Sequence, residues 1–261
     1  MVNTVGSYEN MQSIFPSRVR GRKTSSSSSH LLGNKHWHKK WTPIKKSLVL
    51  NKQQKDLVIG SLLGDGTMWL GKGAQNVNFK VEHGLAQKEY VQWKYQILKP
   101  FVFTEPKMSY RNDSNGKPYE KSWWFRTIRH PELTEIYKSF YKGSGYKSGR
   151  KVIPVNLKLN PLVLAIWVMD DGSYSKGKID ISTYCFSLQE IHFLQGCFKN
   201  AFNIEINYYA DRDKGYRMYC NQKETKKLIK TIRPHIIPSM MYKIGFRNPV
   251  TTGFSPLEKA K

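Results

Sequence analysis

The sequence predicts an α+β protein built from two similar αββαββα halves. Three observations carry that prediction. Two nine-residue runs match in pattern, Val58 to Gly66 (VIGSLLGDG) and Leu164 to Gly172 (LAIWVMDDG), each apolar and each ending in Asp-Gly. Each run is followed by a segment of strict polar and apolar alternation, the period of a half-buried strand. The same succession of turn signals and helical stretches then follows both runs. The repeat is about one hundred residues long, too long for a solenoid and suited to a duplicated small domain.

The elements can be placed in order. In the first half, Asp56 is read as the N-cap of a helix ending at Asp65-Gly66. Gly71 and Gly73 mark a turn, and Asn76-Val77-Asn78-Phe79-Lys80-Val81-Glu82 alternates as a strand. A helix from about Ala86 to Leu98 stops at Pro100. A hairpin from Lys107 to Ile128 turns at Asn112-Asp113-Ser114-Asn115-Gly116. A third helix starts near Pro131 and ends before Gly143. In the second half, Asn160-Pro161 opens a helix with proline in its first turn. A hairpin from Ser173 to Thr183 turns near Lys176-Gly177. Ser187-Leu188-Gln189-Glu190 is a capping box for a helix to about Phe202. A last hairpin turns at Asp213-Lys214-Gly215, and a last helix runs from about Lys223 to before Pro234. The expected boundaries are a basic, Ser-rich extension read as disordered (1–50), a first half (51–145), a linker (146–156), a second half (157–250) and a tail (251–261).

Composition sets the partner class. The chain has 261 residues with 43 Lys+Arg against 19 Asp+Glu, a net charge of +24. Apolar residues make up 39%, enough for a packed core. A core combined with a chain-wide basic excess, interleaved with aromatics as in Lys121-Ser122-Trp123-Trp124-Phe125-Arg126, points to nucleic acid. Cys185, Cys197 and Cys220 give neither a disulfide framework nor zinc spacing. No apolar run reaches the roughly 20 residues that a bilayer needs, so no membrane is expected. The first fifty residues are basic and nearly acid-free. They fit a transit peptide, an arm that adds phosphate contacts, or the translated tail of an upstream reading frame. His30, His36 and His38 lie there without acidic or cysteine partners and are read as part of a basic tract.

The chemistry is expected where the two runs meet. Gly60 and Gly64 share a helix face and allow close backbone approach, and Ala165 is the small residue expected to face them. Crossing there brings Asp65 and Asp171 together at the C-terminal ends, the negative poles of both helices. Two convergent carboxylates with phosphate oxygens are a usual way to hold magnesium. A lone Asp-Gly is also an ordinary helix-stop turn. Its duplication at matched positions in a basic chain favours the metal site.

These two motifs, with Lys151-Val152-Ile153-Pro154 and Ile237-Pro238-Ser239-Met240-Met241-Tyr242-Lys243, resemble the single-chain LAGLIDADG homing endonucleases of the intron-encoded organellar type. The resemblance covers about residues 54 to 247. The motifs depart from the family's name sequence at Ser61 and Trp167, at Leu63 and Met169, and at Ile166, while both final aspartates stay. The resemblance implies motif helices at the interface of the halves and antiparallel β saddles over double-stranded DNA. It implies Asp65 and Asp171 as catalytic metal-binding acids, helped by the Gly64 and Asp170 backbone carbonyls, with Lys151 and Lys243 flanking the centre. The activity implied is Mg2+-dependent hydrolysis, with Mn2+ as substitute, of one phosphodiester in each strand. The products would carry 3′ overhangs. It further implies a monomer, an organellar location and a long non-palindromic site at the intron insertion point. Relatives often carry glutamine where Tyr184 stands, and Lys80 is read as the comparable first-half position.

A two-stranded ribbon fits the major groove. The residues expected to face DNA are Asn76, Asn78, Lys80 and Glu82 on the first strand, with Lys178, Asp180 and Ser182 on its counterpart. Arg111, Lys121, Arg126, Asn207, Arg212 and Arg217 are expected to do so on the outer hairpins. Two other readings compete: a group I intron RNA maturase, a splicing cofactor on the same fold, and a non-catalytic DNA-binding protein.

Overall fold

In the computed structural model, which describes Pro43, Lys45 and residues 47–143 and 149–246, residues from Leu48 onward form one unit. Most of the expected N-terminal extension and all of the expected tail lie outside the described residues. Leu50, placed in that extension, is buried in the core.

Helix α1 (Lys52–Leu63) starts earlier than its sequence suggests. Asn51, not Asp56, is the N-cap, and its side chain and that of Gln54 form a reciprocal capping box. Asp56 lies one turn inside and pairs with Lys52 at 2.7 Å. Strand β1 (Thr67–Trp69) follows the Asp-Gly turn and pairs with β2 (Asn78–Gly84). A single 3-10 turn leads into α2 (Lys88–Leu98). Hairpin β3 (Lys107–Asn112) and β4 (Pro118–Arg126) completes an antiparallel sheet ordered β1-β2-β4-β3, and α3 (Pro131–Phe140) closes the half.

The chain then forms a two-stranded ribbon the sequence did not announce, β5 (Tyr141–Lys142) against β6 (Arg150–Lys151). Strand β5 lies in the expected first half and β6 in the expected linker. The second half repeats the first. Helix α4 (Pro161–Asp171) is capped by Asn160. Strands β7 (Gly172–Ser175) and β8 (Lys178–Ser182) join β9 (Asn207–Ala210) and β10 (Tyr216–Cys220) in the order β7-β8-β10-β9. Helix α5 (Leu188–Phe202) begins at the expected capping box, with Ser187 as N-cap, and α6 (Gln222–Ile232) is capped by Asn221.

Each sheet has one face on the helices. Phe79, Val81 and Phe125 fill it in the first half, and Ile179, Ile181, Met218 and Cys220 in the second. The other face is free. No described helix is long and apolar enough to cross a membrane.

The halves join where α1 and α4 cross. A Cβ on Gly60 would lie 2.7 Å from the Val163 carbonyl and 2.8 Å from Ile166 Cβ, and one on Gly64 would lie 2.5 Å from Asp170 Cβ. The glycines therefore receive Val163, Ile166 and Asp170. Ala165, expected to face them, is buried, but the atoms nearest to the two glycines belong to Val163, Ile166 and Asp170 instead. Ile166, a departure from the family pattern, fills the space that Gly60 leaves. From Leu57 in α1 and from Val163 in α4 the helices are enclosed on almost every side, which is why those stretches are nearly all apolar.

Overpacking a tight contact costs about 1–3 kcal/mol, so Gly60→Ala is expected to lower stability by at least that amount. Gly196, exposed inside α5 with nothing near its Cβ position, gives the opposite result: Gly196→Ala should stabilise by about 1 kcal/mol. Urea denaturation of the two variants checks both signs.

Candidate active site

The crossing delivers both Asp-Gly turns to one place. Asp65 follows the last turn of α1 and its side chain is half-exposed. Asp171 is the last residue of α4 and is partly buried. They are close enough to feel each other's charge. Burial, then the charges of Asp65 and Asp170, push the Asp171 carboxyl up to about 7, against the opposing pull of Lys151 and Lys243. For Asp65 burial also acts upward, but the His83 ring and the charges of Lys94 and Lys243 outweigh it and hold the carboxyl below its usual range. Two chemically identical side chains are thus unequal at neutral pH.

The expected lysines sit beside them, and their arrangement is repeated in the two halves. Lys151 Nζ donates to the Gly64 carbonyl at 2.8 Å and the Gly66 carbonyl at 3.0 Å. Lys243 Nζ donates to the Asp170 carbonyl at 3.1 Å and the Gly172 carbonyl at 2.9 Å. Each lysine clamps the backbone on both sides of its own half's aspartate, capping the negative end of that helix. The β5–β6 ribbon aims Lys151. A 3-10 segment (Pro238–Ile244) aims Lys243, and Gly245 at φ 84° ends it. Burial lowers both ammonium pKa values.

Among the described residues, no group of three or more His, Cys, Asp and Glu side chains could hold a metal ion. The protein offers two carboxylates and neighbouring carbonyls, an all-oxygen set short of a full shell. Magnesium is usually bound in this way, with water and phosphate supplying the rest. The donor chemistry fits such an ion, and Lys151 and Lys243 offset only part of the burial and repulsion that raise Asp171, so a divalent cation would supply the remaining counter-charge. The Gly64 and Asp170 carbonyls already accept lysine hydrogen bonds, so a metal there would use their second lone pairs or displace the ammonium groups.

Beneath Asp65 lies a buried polar cluster that sequence reading missed. Asp170 Oδ1 accepts from Tyr90 Oη at 2.7 Å and from Lys94 Nζ at 2.7 Å. Lys94 Nζ lies 3.2 Å from His83 Nε2. The other Asp170 oxygen is buried without a partner. A signal was present: Lys94 stands on the face of α2 that carries Tyr90, Val91 and Leu98, and His83 follows Phe79 and Val81 on the inward face of β2.

Several expected DNA-facing residues do lie on the free sheet faces: Lys80, Glu82 and Arg126 in one half, and Lys178, Asp180, Ser182, Asn207 and Arg217 in the other. Lys80 and Arg126 both stack on Trp124. Glu82 is engaged by Lys80, Lys121 and Ser122, which hold its carboxyl at about 2 against the upward effect of burial. A register irregularity in the β3–β4 pairing adds Lys121 as an extra residue, which turns it toward Glu82. Arg111 and Arg212 are exposed, Arg212 at the β9–β10 turn with φ 52°. Two expectations fail. Asn76 precedes the strand and accepts from Thr134, and Asn78 is buried beside its cross-strand partner Trp69. The comparison of Tyr184 with Lys80 fails as well. Thr67 pairs with Lys80 and Ser173 with Asp180, so Lys80 corresponds to Asp180 and Tyr184 to Gly84.

A model of the LAGLIDADG DNA endonuclease family matches residues 55–228. The chain belongs to this family. Two relatives span most of it. The cytochrome b mRNA maturase bI2 of Debaryomyces hansenii is 30% identical over 202 residues, covering 75% of each protein. The DNA endonuclease I-ChuI of Chlamydomonas applanata is 29% identical over 212 residues, covering 76% of this chain and 97% of the relative. The fold matches the homing endonuclease I-WcaI, solved bound to its DNA recognition sequence, with a TM-score of 0.70 and 22% identity over 85% of this chain and 96% of that one.

A carboxyl held near 7 in the folded state and near 3.8 when unfolded binds its proton more tightly in the folded chain. Its contribution to stability is therefore lost as pH rises from about 4 to about 7. Asp171→Asn removes that loss. Without metal, the variant is expected to match wild type near pH 4 and exceed it by on the order of 1–4 kcal/mol at pH 8. A stability difference that stays flat with pH, read by thermal denaturation in a chelating buffer, contradicts the unequal-carboxyl arrangement.

Proposed function

We propose that this protein is a site-specific homing endonuclease that makes a metal-dependent staggered cut, with 3′ overhangs, in double-stranded DNA. The observation that carries this reading is the pair of aspartates at the crossing of α1 and α4, each flanked by a lysine-clamped turn. Asp65 and Asp171 would hold Mg2+, or Mn2+ in its place. The metal supplies an activated water and charge stabilisation at the leaving oxygen. Lys151 and Lys243, already fixed beside the acids, would stabilise charge developing on phosphate oxygens.

The free sheet faces are suited to DNA. They carry Lys80, Arg126, Lys178 and Arg217 beside the aromatic side chains of Trp124, Tyr209 and Tyr219. If each half covers about one helical turn, the target spans roughly 20 base pairs. The halves differ in sequence, so the target need not be palindromic. Phosphate contacts position such a protein and base contacts select the site. The chain would act as a monomer because both halves are in one polypeptide. An organellar gene, mitochondrial or chloroplast, fits the intron-encoded resemblance and the cytochrome b relative.

A second reading is favoured by one observation each from the relatives and the surface. The maturase relative suggests intron RNA as a partner. Lys223, Lys226 and Lys230 on α6, with Arg233 just after it, form an exposed basic stripe, and the buried face of α6 packs on α4, β8 and β10. The stripe points away from the free sheet face, where RNA could bind without competing with DNA.

On DNA carrying the intron-insertion junction, Asp65→Asn and Asp171→Asn are each expected to abolish double-strand cleavage while leaving affinity within about tenfold, because the acids serve metal rather than base readout. Full cleavage by either variant would remove the site. Lys151→Ala and Lys243→Ala should slow cleavage more than they weaken binding, as single-turnover rates beside gel-shift affinities would reveal.

A further inference from the structure

Among the described residues, the buried cluster beneath Asp65 has no counterpart beneath Asp171. In the first half a continuous polar chain runs from Asp170 through Lys94 and His83 to Asp65. Lys94 Nζ is 2.7 Å from Asp170 Oδ1 and 3.2 Å from His83 Nε2. His83 Nδ1 is 3.5 Å from Asp65 Oδ2. The Lys94 and Asp170 side chains are fully buried, and that of His83 is 2% exposed. The direction of the chain follows from donor chemistry. An ammonium only donates, so Nε2 of His83 accepts and Nδ1 carries the proton toward Asp65.

In the second half the register places Thr183 where His83 stands, because β1 pairs with β2 as β7 pairs with β8. Thr183 Oγ1 donates instead to the Tyr216 carbonyl at 2.7 Å. The residues that α5 buries are Ile191, Leu194 and Phe198, with no lysine among them. Asp171 therefore receives no such support from its own half. Asp170, which anchors the chain, belongs to the second motif, yet its side chain serves the first half.

We propose that His83 is a positioning residue for Asp65, oriented by Lys94 and Asp170, and that it makes the two half-sites unequal, so that the two DNA strands are cut at different rates. This rests on the endonuclease reading only for its kinetic consequence. The positioning of Asp65 stands on the geometry alone.

The test exploits the two ring nitrogens. An asparagine amide nitrogen takes the place of Nδ1, facing Asp65, whereas a glutamine amide reaches the place of Nε2, facing Lys94. Doubly end-labelled target DNA is cleaved by wild type, His83→Asn and His83→Gln, and each strand's rate is measured separately. His83→Gln is expected to change the ratio of the two strand rates by about tenfold or more, as a misplaced reacting group does, and His83→Asn to keep the ratio near that of wild type. Equal slowing of both strands, or one ratio in all three proteins, overturns the proposal, since a merely structural role would slow both strands alike. The second readout needs no cleavage: the 13C carboxyl resonance of Asp65 in the DNA-free protein, assigned by its loss in Asp65→Asn. It should move in His83→Gln and hold in His83→Asn. If wild type cuts no DNA, the endonuclease reading falls, and the resonance alone decides the positioning: an identical Asp65 signal in both variants overturns it.

Discussion

The close crossing of α1 and α4 at Gly60 and Gly64 is the constraint on which the rest of this structure depends. A Cβ at either glycine would collide with the opposite helix. Because that space is open, the two helices pack backbone against side chain, and their C-terminal ends arrive together. The candidate catalytic groups sit at those ends. Both aspartates, both lysine-clamped turns and the sheet strands that follow them take their positions from this one contact. A looser crossing would separate the acids and leave two unremarkable helix-stop turns.

The crossing also concentrates like charge, and the surrounding chain manages that cost unevenly. Asp170 is paired inside the protein with Lys94 and accepts a hydrogen bond from Tyr90. Asp65 is held ionised by His83 and by nearby ammonium groups. At Asp171 burial and repulsion outweigh the pull of Lys151 and Lys243, and its carboxyl rises to about 7. Such a site waits for positive charge. Under the proposed function, a divalent ion held with a DNA phosphate would satisfy it, and the general basicity of the chain, +24 overall, suits a polyanion. The duplicated architecture is symmetric in its backbone and lysine clamps but not in its buried polar groups.

Much of the fold was legible because its signals are local. The Ser187 capping box, the Asn160-Pro161 helix start and the glycine-bearing turns each depend on neighbouring residues, and each element formed where these signals put it. The acids and lysines were legible from their matched positions. What escaped depends on side chains distant in sequence. Asn51 was overlooked as a cap because Gln54 reciprocates it and no acid marks that turn. Asn78 alternates correctly but is buried beside Trp69, a cross-strand neighbour that periodicity does not reveal. Lys94 and His83 face inward because Asp170, from the other half, is there to meet them. The β5–β6 ribbon is too short to leave a periodic trace.

The measurement that tests this account most directly is incubation of the protein with Mg2+ and a DNA library containing intron-junction and randomised inserts, followed by sequencing of the ends produced. The account predicts one family of sites, roughly 20 base pairs long, with staggered 3′-overhanging ends that vanish in a chelating buffer. Intact DNA, together with tight binding to a folded intron RNA, would contradict it and place the maturase reading first.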